Sequence, residues 1–386
     1  MLKKVNLVIS SKTFVNTIFL FLLFRYILVF QDLIKLNTDN NGDLFITADW
    51  LINFNHGFVR RGILGSLFVN DIFNAYTGLL LLSFFQIGVY LFIIYKLYIY
   101  FLRINQNLLS ITILLNPIFL IYFSLNDFRG SFRKEILGFT ALLLVLELKS
   151  KEKNKFLLIQ IIYLIAIFSS EMNLLFYPAL MYIFFVNIQE KSLVRINQII
   201  LTATSSIYVL MYLFTRNNYQ EIENNICNEL LSKNFNKNIC EGSISFIHSS
   251  AGEYFTVSNS YYNNDYFYFY GLAIFIASIP VSIFKLNKTE SIFHISNFFF
   301  FVPFLIISMD WGRILSIYFS IVYLIYITSN KKNIKNNSFF EVSVILITIF
   351  FNFIWKVQHC CIGFDFYDTE SILWNLIKFG YGFYLN

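Results

Sequence analysis

Charge is what this sequence lacks most. Asp, Glu, Lys and Arg make up 13% of its 386 residues, roughly half the share of about 25% found in soluble domains. There is too little polar surface to clothe two or three water-soluble domains, which excludes a cytosolic globular enzyme and a disordered chain. No Walker or dinucleotide glycine motif is present, so no nucleotide-driven pump is expected. No His, Cys and Asp residues stand at zinc-site spacing, and no cofactor or metal is expected. Internal repeats and Pro- or Gly-rich linkers are also missing, so residues 1–386 read as a single integral domain.

Apolar and aromatic residues take up the difference. The hydrophobic share is 57%, with 48 Phe and 25 Tyr, and the mean hydropathy is +0.62. The formal charge of +6 does not point to nucleic acid, because the basic residues sit in short clusters between apolar runs, as membrane topology dictates. A helix crossing a ~30 Å core needs about 20 apolar residues. Such runs lie near 13–34, 77–101, 107–125, 135–148, 156–170, 173–188, 197–215, 267–284, 292–309, 314–329 and 339–357. The expected fold is therefore an all-α polytopic membrane protein of about 11 transmembrane helices. The first run follows Lys3, Lys4 and Lys12 without a small-residue cleavage site, and reads as a retained helix.

With the N-terminus in the cytoplasm, Arg103, the cluster from Lys149 to Lys155, Lys191 with Arg195, Lys285 with Lys288, and the cluster Lys331, Lys332 and Lys335 all fall on the cytoplasmic side. Four connections on the opposite side carry arginine against that rule. The first holds Asp49 and the run Asn55-His56-Gly57-Phe58-Val59-Arg60-Arg61-Gly62. The second is Asn126-Asp127-Phe128-Arg129-Gly130-Ser131-Phe132-Arg133-Lys134-Glu135. The third is the turn Asp310-Trp311-Gly312-Arg313, and Arg216 opens the fourth, the long connection 216–266. Glu171 adds a lone acid between two apolar spans. Misplaced charge beside a membrane marks a functional site by default. Each motif also has a plainer reading: headgroup-anchoring arginines for Arg60 and Arg61, a helix N-terminal carboxylate for Glu135, a helix-pairing ion pair for Asp310 and Arg313. Their convergence on one face favours a site. On that side Cys227 and Cys240 are the simplest disulfide among the three pairings four cysteines allow.

Arginine forks with nearby carboxylates suit a lipid-linked diphosphate sugar. Arg60 and Arg61, helped by Arg129, Arg133 and Arg313, are the candidates to hold the diphosphate. Asp49, Asp127, Glu171 and Asp310 are the candidates for general base and for orienting the arginines. The chain resembles the Wzy-type polymerases that join O-antigen or capsular repeat units, in its size, its Asn-, Phe-, Ile- and Tyr-rich makeup, the Gly57-Phe58-Val59-Arg60-Arg61-Gly62 run and the Asp310-Trp311-Gly312-Arg313 turn. The resemblance implies a metal-independent glycosyltransferase of the bacterial inner membrane, with 216–266 as its long periplasmic loop. Its partners would be undecaprenyl-diphosphate-linked glycan donor and acceptor, the bilayer and a chain-length regulator protein, with no nucleic acid. The rival readings are a multispan polyprenyl-linked sugar transferase, for which Asp43 and Asp49 sit in the right connection, and a lipid-linked oligosaccharide flippase.

Overall fold

The computed structural model describes residues 11–39, 42–103, 112–148, 153–188, 190–215, 218–249, 251–262, 264–282, 288–328, 343, 346–348, 350–351 and 356–360. The span expected at 339–357 falls largely outside them, as do Arg216 and the lysines at 149, 151, 285, 331, 332 and 335. Every regular element among the described residues is helical. The helices are α1 (Ser11–Asp39), α2 (Ile46–Leu51), α3 (Gly65–Phe68), α4 (Ala75–Arg103), α5 (Leu120–Asn126), α6 (Phe128–Ser131), α7 (Ile136–Leu146), α8 (Lys153–Ser169), α9 (Tyr177–Asn187), α10 (Lys191–Thr215), α11 (Tyr219–Ser232), α12 (Ala251–Tyr261), α13 (Asn264–Ser282), α14 (Lys288–Ile307) and α15 (Trp311–Thr328). A 3₁₀ turn, Glu171–Phe176, precedes α9.

Four helical stretches are long and apolar enough to cross a membrane: Val15–Thr38, Ala75–Leu102, Lys191–Thr215 and Lys288–Ile307. They expose large apolar side chains such as Leu20, Phe24, Ile199, Leu213, Phe214 and Phe299. Soluble monomers rarely leave such broad apolar surface in water, so the helices are compatible with a membrane protein.

Among the described residues five more apolar helices are shorter, so not every apolar run there forms a full-length helix. Two physical reasons are visible. Helix α7 has 11 residues, about 17 Å at 1.5 Å per residue, and most of its side chains are buried by protein. Its uniform apolarity reflects a central position in the bundle as much as contact with lipid. The run 107–125 is interrupted at Asn116-Pro117, where the amides of Asn116 and Phe119 make short turns before α5 begins.

Helix α1 packs along α4, with Tyr26 and Tyr90 rings 5.8 Å apart, and the Tyr26 hydroxyl donates to the Ile121 carbonyl at 3.0 Å. The described part of the 216–266 connection holds α11, a 3₁₀ turn at Lys237–Glu241 and α12. It lies on the connection that follows α1. The Ser243 amide donates to the Leu44 carbonyl at 2.8 Å, and a Cβ on Gly242 would fall 1.8 Å from that same oxygen, so only glycine permits the approach.

Cys227 and Cys240 are joined as a disulfide with their Cα atoms 5.8 Å apart. Closing this short loop typically stabilises by about 2–4 kcal/mol. The Cys227→Ser protein is therefore expected to inactivate several degrees below the wild type in a thermal-inactivation series. Identical inactivation curves would show that the cross-link does not hold this covering segment in place.

Candidate functional site

The site is assembled from four turns, and Arg61 is its centre. Helix α2 starts where the Asp43 carboxylate accepts the amides of Phe45 and Ile46, each at 2.8 Å. All of α2 is buried, including Asp49. The chain then reverses through Gly57 (φ 123°) and Arg61 (φ 78°). A left-handed arginine is costly and persists only when its surroundings over-determine it. Here they do. The Arg61 Nε donates to both Glu171 oxygens at 2.8 and 3.0 Å, its Nη2 donates to Glu171 Oε1 as well, and its Nη1 donates to Asp49 at 3.2 Å. The Arg61 carbonyl accepts from Lys134 Nζ at 2.5 Å. Arg60 Nη1 lies 3.7 Å from Glu171, and its Nη2 donates to the Phe246 carbonyl at 2.5 Å, bringing in the long connection.

The second turn follows α5. Asp127 Oδ1 accepts from the Gly130 amide at 2.9 Å and starts α6. Lys134 and Glu135 are buried. Glu135 precedes α7 but makes no capping bond. Its carboxylate instead accepts from Ser170 at 3.3 Å and lies 3.9 Å from Arg313. In the last turn, Arg313 Nη2 donates to Asp310 Oδ2 at 2.5 Å, while the Arg313 Nε is buried with no hydrogen-bond partner among the described residues.

These groups form one electrostatic unit. Burial pushes the Glu171 carboxyl upward, but Arg61 and Arg60 outweigh it and hold the group well below the usual carboxylate range. Asp49 is likewise lowered despite burial, by Lys134, Arg61, Arg133 and Arg313. Asp310 is lowered despite burial by Arg313, His359, Arg133 and Arg61. Burial brings the Lys134 ammonium down to about 8, against the pull of Asp49. Five cations (Arg60, Arg61, Arg133, Lys134, Arg313) thus face four carboxylates (Asp49, Glu135, Glu171, Asp310). Those that line the adjoining cavity are three arginines (Arg60, Arg61, Arg313) and two carboxylates (Glu171, Asp310), a positive excess that suits an anion.

A cavity of about 390 Å³ opens on this unit. One wall is polar, formed by Arg60, Arg61, Glu171, Asp310 and Arg313. The rest of the lining is largely apolar, with Val209 and Leu213 from α10 and Phe304 and Ile307 from α14, both of them helices long enough to cross a bilayer. The volume is in the range of ligand pockets.

Not every expected residue joins it. Arg129 is exposed and stands apart. Arg133 donates to the Phe45 carbonyl at 2.5 Å and to Ser243 at 2.9 Å, so it braces the two connections and does not reach the cavity wall. Asp49 lies behind Arg61, and Arg61 spends its fork on carboxylates, which leaves it a poor grip for a phosphate. Asp127 pairs with His359 Nδ1 at 2.7 Å. Lys134, buried beneath Arg61, and His359, 232 residues from Asp127, also join the charged turns. Local spacing carries no signal for the histidine. His56 is exposed and its Nε2 lies 3.2 Å from Glu229, a tie between connections.

No family model, curated protein or solved structure matches this chain. The chemistry must come from the site.

Proposed function

We propose that the protein is a membrane glycosyltransferase of the O-antigen polymerase type, joining polyprenyl-diphosphate-linked oligosaccharide repeat units at the periplasmic face of the bacterial inner membrane. The mixed lining of the cavity, charged and apolar, carries this reading. Its arginines and positive excess suit a diphosphate, and its apolar wall on α10 and α14 suits the first isoprene units of a lipid tail. Arg313 is the principal grip, since it lines the cavity and its Nε has no hydrogen-bond partner among the described residues, with Arg60 beside it. The diphosphate leaves with the electron pair of the sugar C1–O bond, the acceptor hydroxyl oxygen bonds to C1, and its proton passes to a carboxylate. Cations fixed in advance offset the charge that grows on the leaving diphosphate. Glu171 and Asp310 are the carboxylates an acceptor in the cavity can reach. Asp43 is used as a helix cap and Asp49 is screened by Arg61, which weighs against the reading in which an acid of the first connection does the chemistry.

In cells, Arg313→Lys should shorten or abolish the polysaccharide ladder, because lysine keeps the charge but loses the fork. Arg129→Lys, altering an exposed residue, should leave the ladder intact. Wild-type ladders from both proteins at normal expression would overturn the assignment of Arg313.

The same reading places about eleven spans in the membrane, the N-terminus in the cytoplasm and 216–266 in the periplasm. Reporter fusions after Lys153 and Arg195 should then report cytoplasm, and fusions after Asn236 and Asn259 should report periplasm. A cytoplasmic report from Asn236 would remove the site from the periplasmic face.

A further inference from the structure

Residues 356–360 add a second feature beside the cavity. A carboxylate oxygen of Asp310, a ring nitrogen of His359 and the sulfur of Cys360 all lie within 4.8 Å of one another. We propose that these three residues bind a divalent transition-metal ion, Zn²⁺ being the best fit, with Asp127 as the group that orients the histidine.

The histidine is built into its place from both sides. Its amide donates to Asp127 Oδ2 at 2.5 Å, and its carbonyl accepts from the Gly312 amide at 3.1 Å. The Tyr270 hydroxyl donates to the neighbouring Gln358 carbonyl at 3.1 Å. Two glycines make the docking possible. A Cβ on Gly312 would lie 1.8 Å from the Gln358 carbonyl oxygen, and one on Gly130 would lie 2.5 Å from His359 Cβ. The segment therefore rests directly on the two charged turns.

The ring orientation follows from the same contacts. His359 Nδ1 lies 2.7 and 2.9 Å from the two Asp127 oxygens, so Asp127 holds Nδ1 as the N–H and leaves Nε2 for a ligand. Metal-bound histidines are characteristically held in this way by a carboxylate behind them. Sulfur, nitrogen and oxygen donors together select zinc-like ions over Mg²⁺ or Ca²⁺. Three protein ligands leave a fourth tetrahedral position open, as in catalytic zinc sites. Ligand atoms around zinc stand at about 2.0–2.3 Å from the ion, so small side-chain movements close the cluster. The charges match: the carboxylates of Asp310 and Asp127 and the Cys360 thiolate offset a divalent ion and the Arg313 guanidinium. Because Asp310 also lines the cavity, a bound ion would add positive charge where an anion is received. That consequence rests on the diphosphate reading; the metal binding does not.

Cobalt(II) gives a readout independent of activity. The purified full-length protein, stripped with chelator and titrated with Co²⁺, should take up one equivalent and develop a thiolate-to-cobalt band in the near ultraviolet, with strong tetrahedral visible bands. Cys360→Ser should abolish the near-ultraviolet band, whereas Cys361→Ser should retain it. Asp127→Asn should weaken binding roughly 10–100-fold yet keep the band at saturation. Wild-type protein that takes up no cobalt, or a band unchanged in Cys360→Ser, overturns the site. Undiminished affinity in Asp127→Asn overturns the orienting role. None of these outcomes depends on whether glycan is transferred.

Discussion

Arg61→Lys is expected to lose at least about 100-fold of the proposed transfer activity, even though it preserves the charge. Arg61 joins Glu171 through Nε and Nη2 and Asp49 through Nη1. A lysine ammonium is a single point and cannot span both carboxylates. One of the two would be left buried against unmatched surroundings, and breaking a buried pair by removing one partner costs about 3–5 kcal/mol. At about 1.4 kcal/mol per tenfold, even the lower figure exceeds 100-fold if it falls on the active conformation. Lysine must also adopt the left-handed backbone at φ 78° without the contacts that impose it. The effect should be non-additive with Glu171→Gln, since both substitutions dismantle one pair. A ladder assay on the single and double variants checks this. Fully additive losses would mean the pair does not act as a unit.

Glu171→Gln carries the second large effect. Glutamine keeps the size of the side chain but accepts no proton and forms no ion pair with Arg61. If Glu171 takes the acceptor proton, turnover should fall by roughly 10²–10⁴-fold while donor binding is kept or strengthened, because the released Arg61 fork becomes available to phosphate. If Glu171 only orients Arg61, donor binding and turnover should change together, and Asp310→Asn becomes the variant that separates them. The pH dependence has a definite sign. The Glu171 carboxyl is held below its ordinary value in the folded protein, so its contribution to stability is fully present above the unfolded carboxylate range, near pH 4.3. It is lost as pH falls through the lower folded value. Protonation of Glu171 should therefore cause no loss of stability between pH 5 and 8, and acid inactivation below about pH 4 should be blunted in Glu171→Gln. Inactivation of the wild type near pH 6, absent in the variant, would contradict the ion pair.

Much of this arrangement was legible in the sequence, and the gaps have physical causes. The glycine-flanked Arg60 and Arg61, and the Asp310–Arg313 turn, are short-range patterns whose chemistry is carried by neighbouring residues. The pairing of Arg61 with Glu171 crosses 110 residues, and only the fold brings the two together. Arg129 and Arg133 look alike in the sequence. One turn of chain sends Arg133 into the protein toward Phe45 and Ser243 and leaves Arg129 exposed. Apolar runs identify helices well but not their exposure. Helix α7, surrounded by protein, reads the same as a helix surrounded by lipid. His359 stands in no motif, and Asp127 and the two close-packed glycines that hold it come from distant turns.

Reconstitution with a defined donor tests the central claim most directly. Purified protein in proteoliposomes is given a polyprenyl-diphosphate-linked repeat unit, and both products are followed. The account predicts glycans that lengthen by whole repeat units, with one polyprenyl diphosphate released for each linkage formed, and no ladder from Arg61→Lys. An intact donor, products extended by single sugars, or undiminished laddering by Arg61→Lys would contradict it.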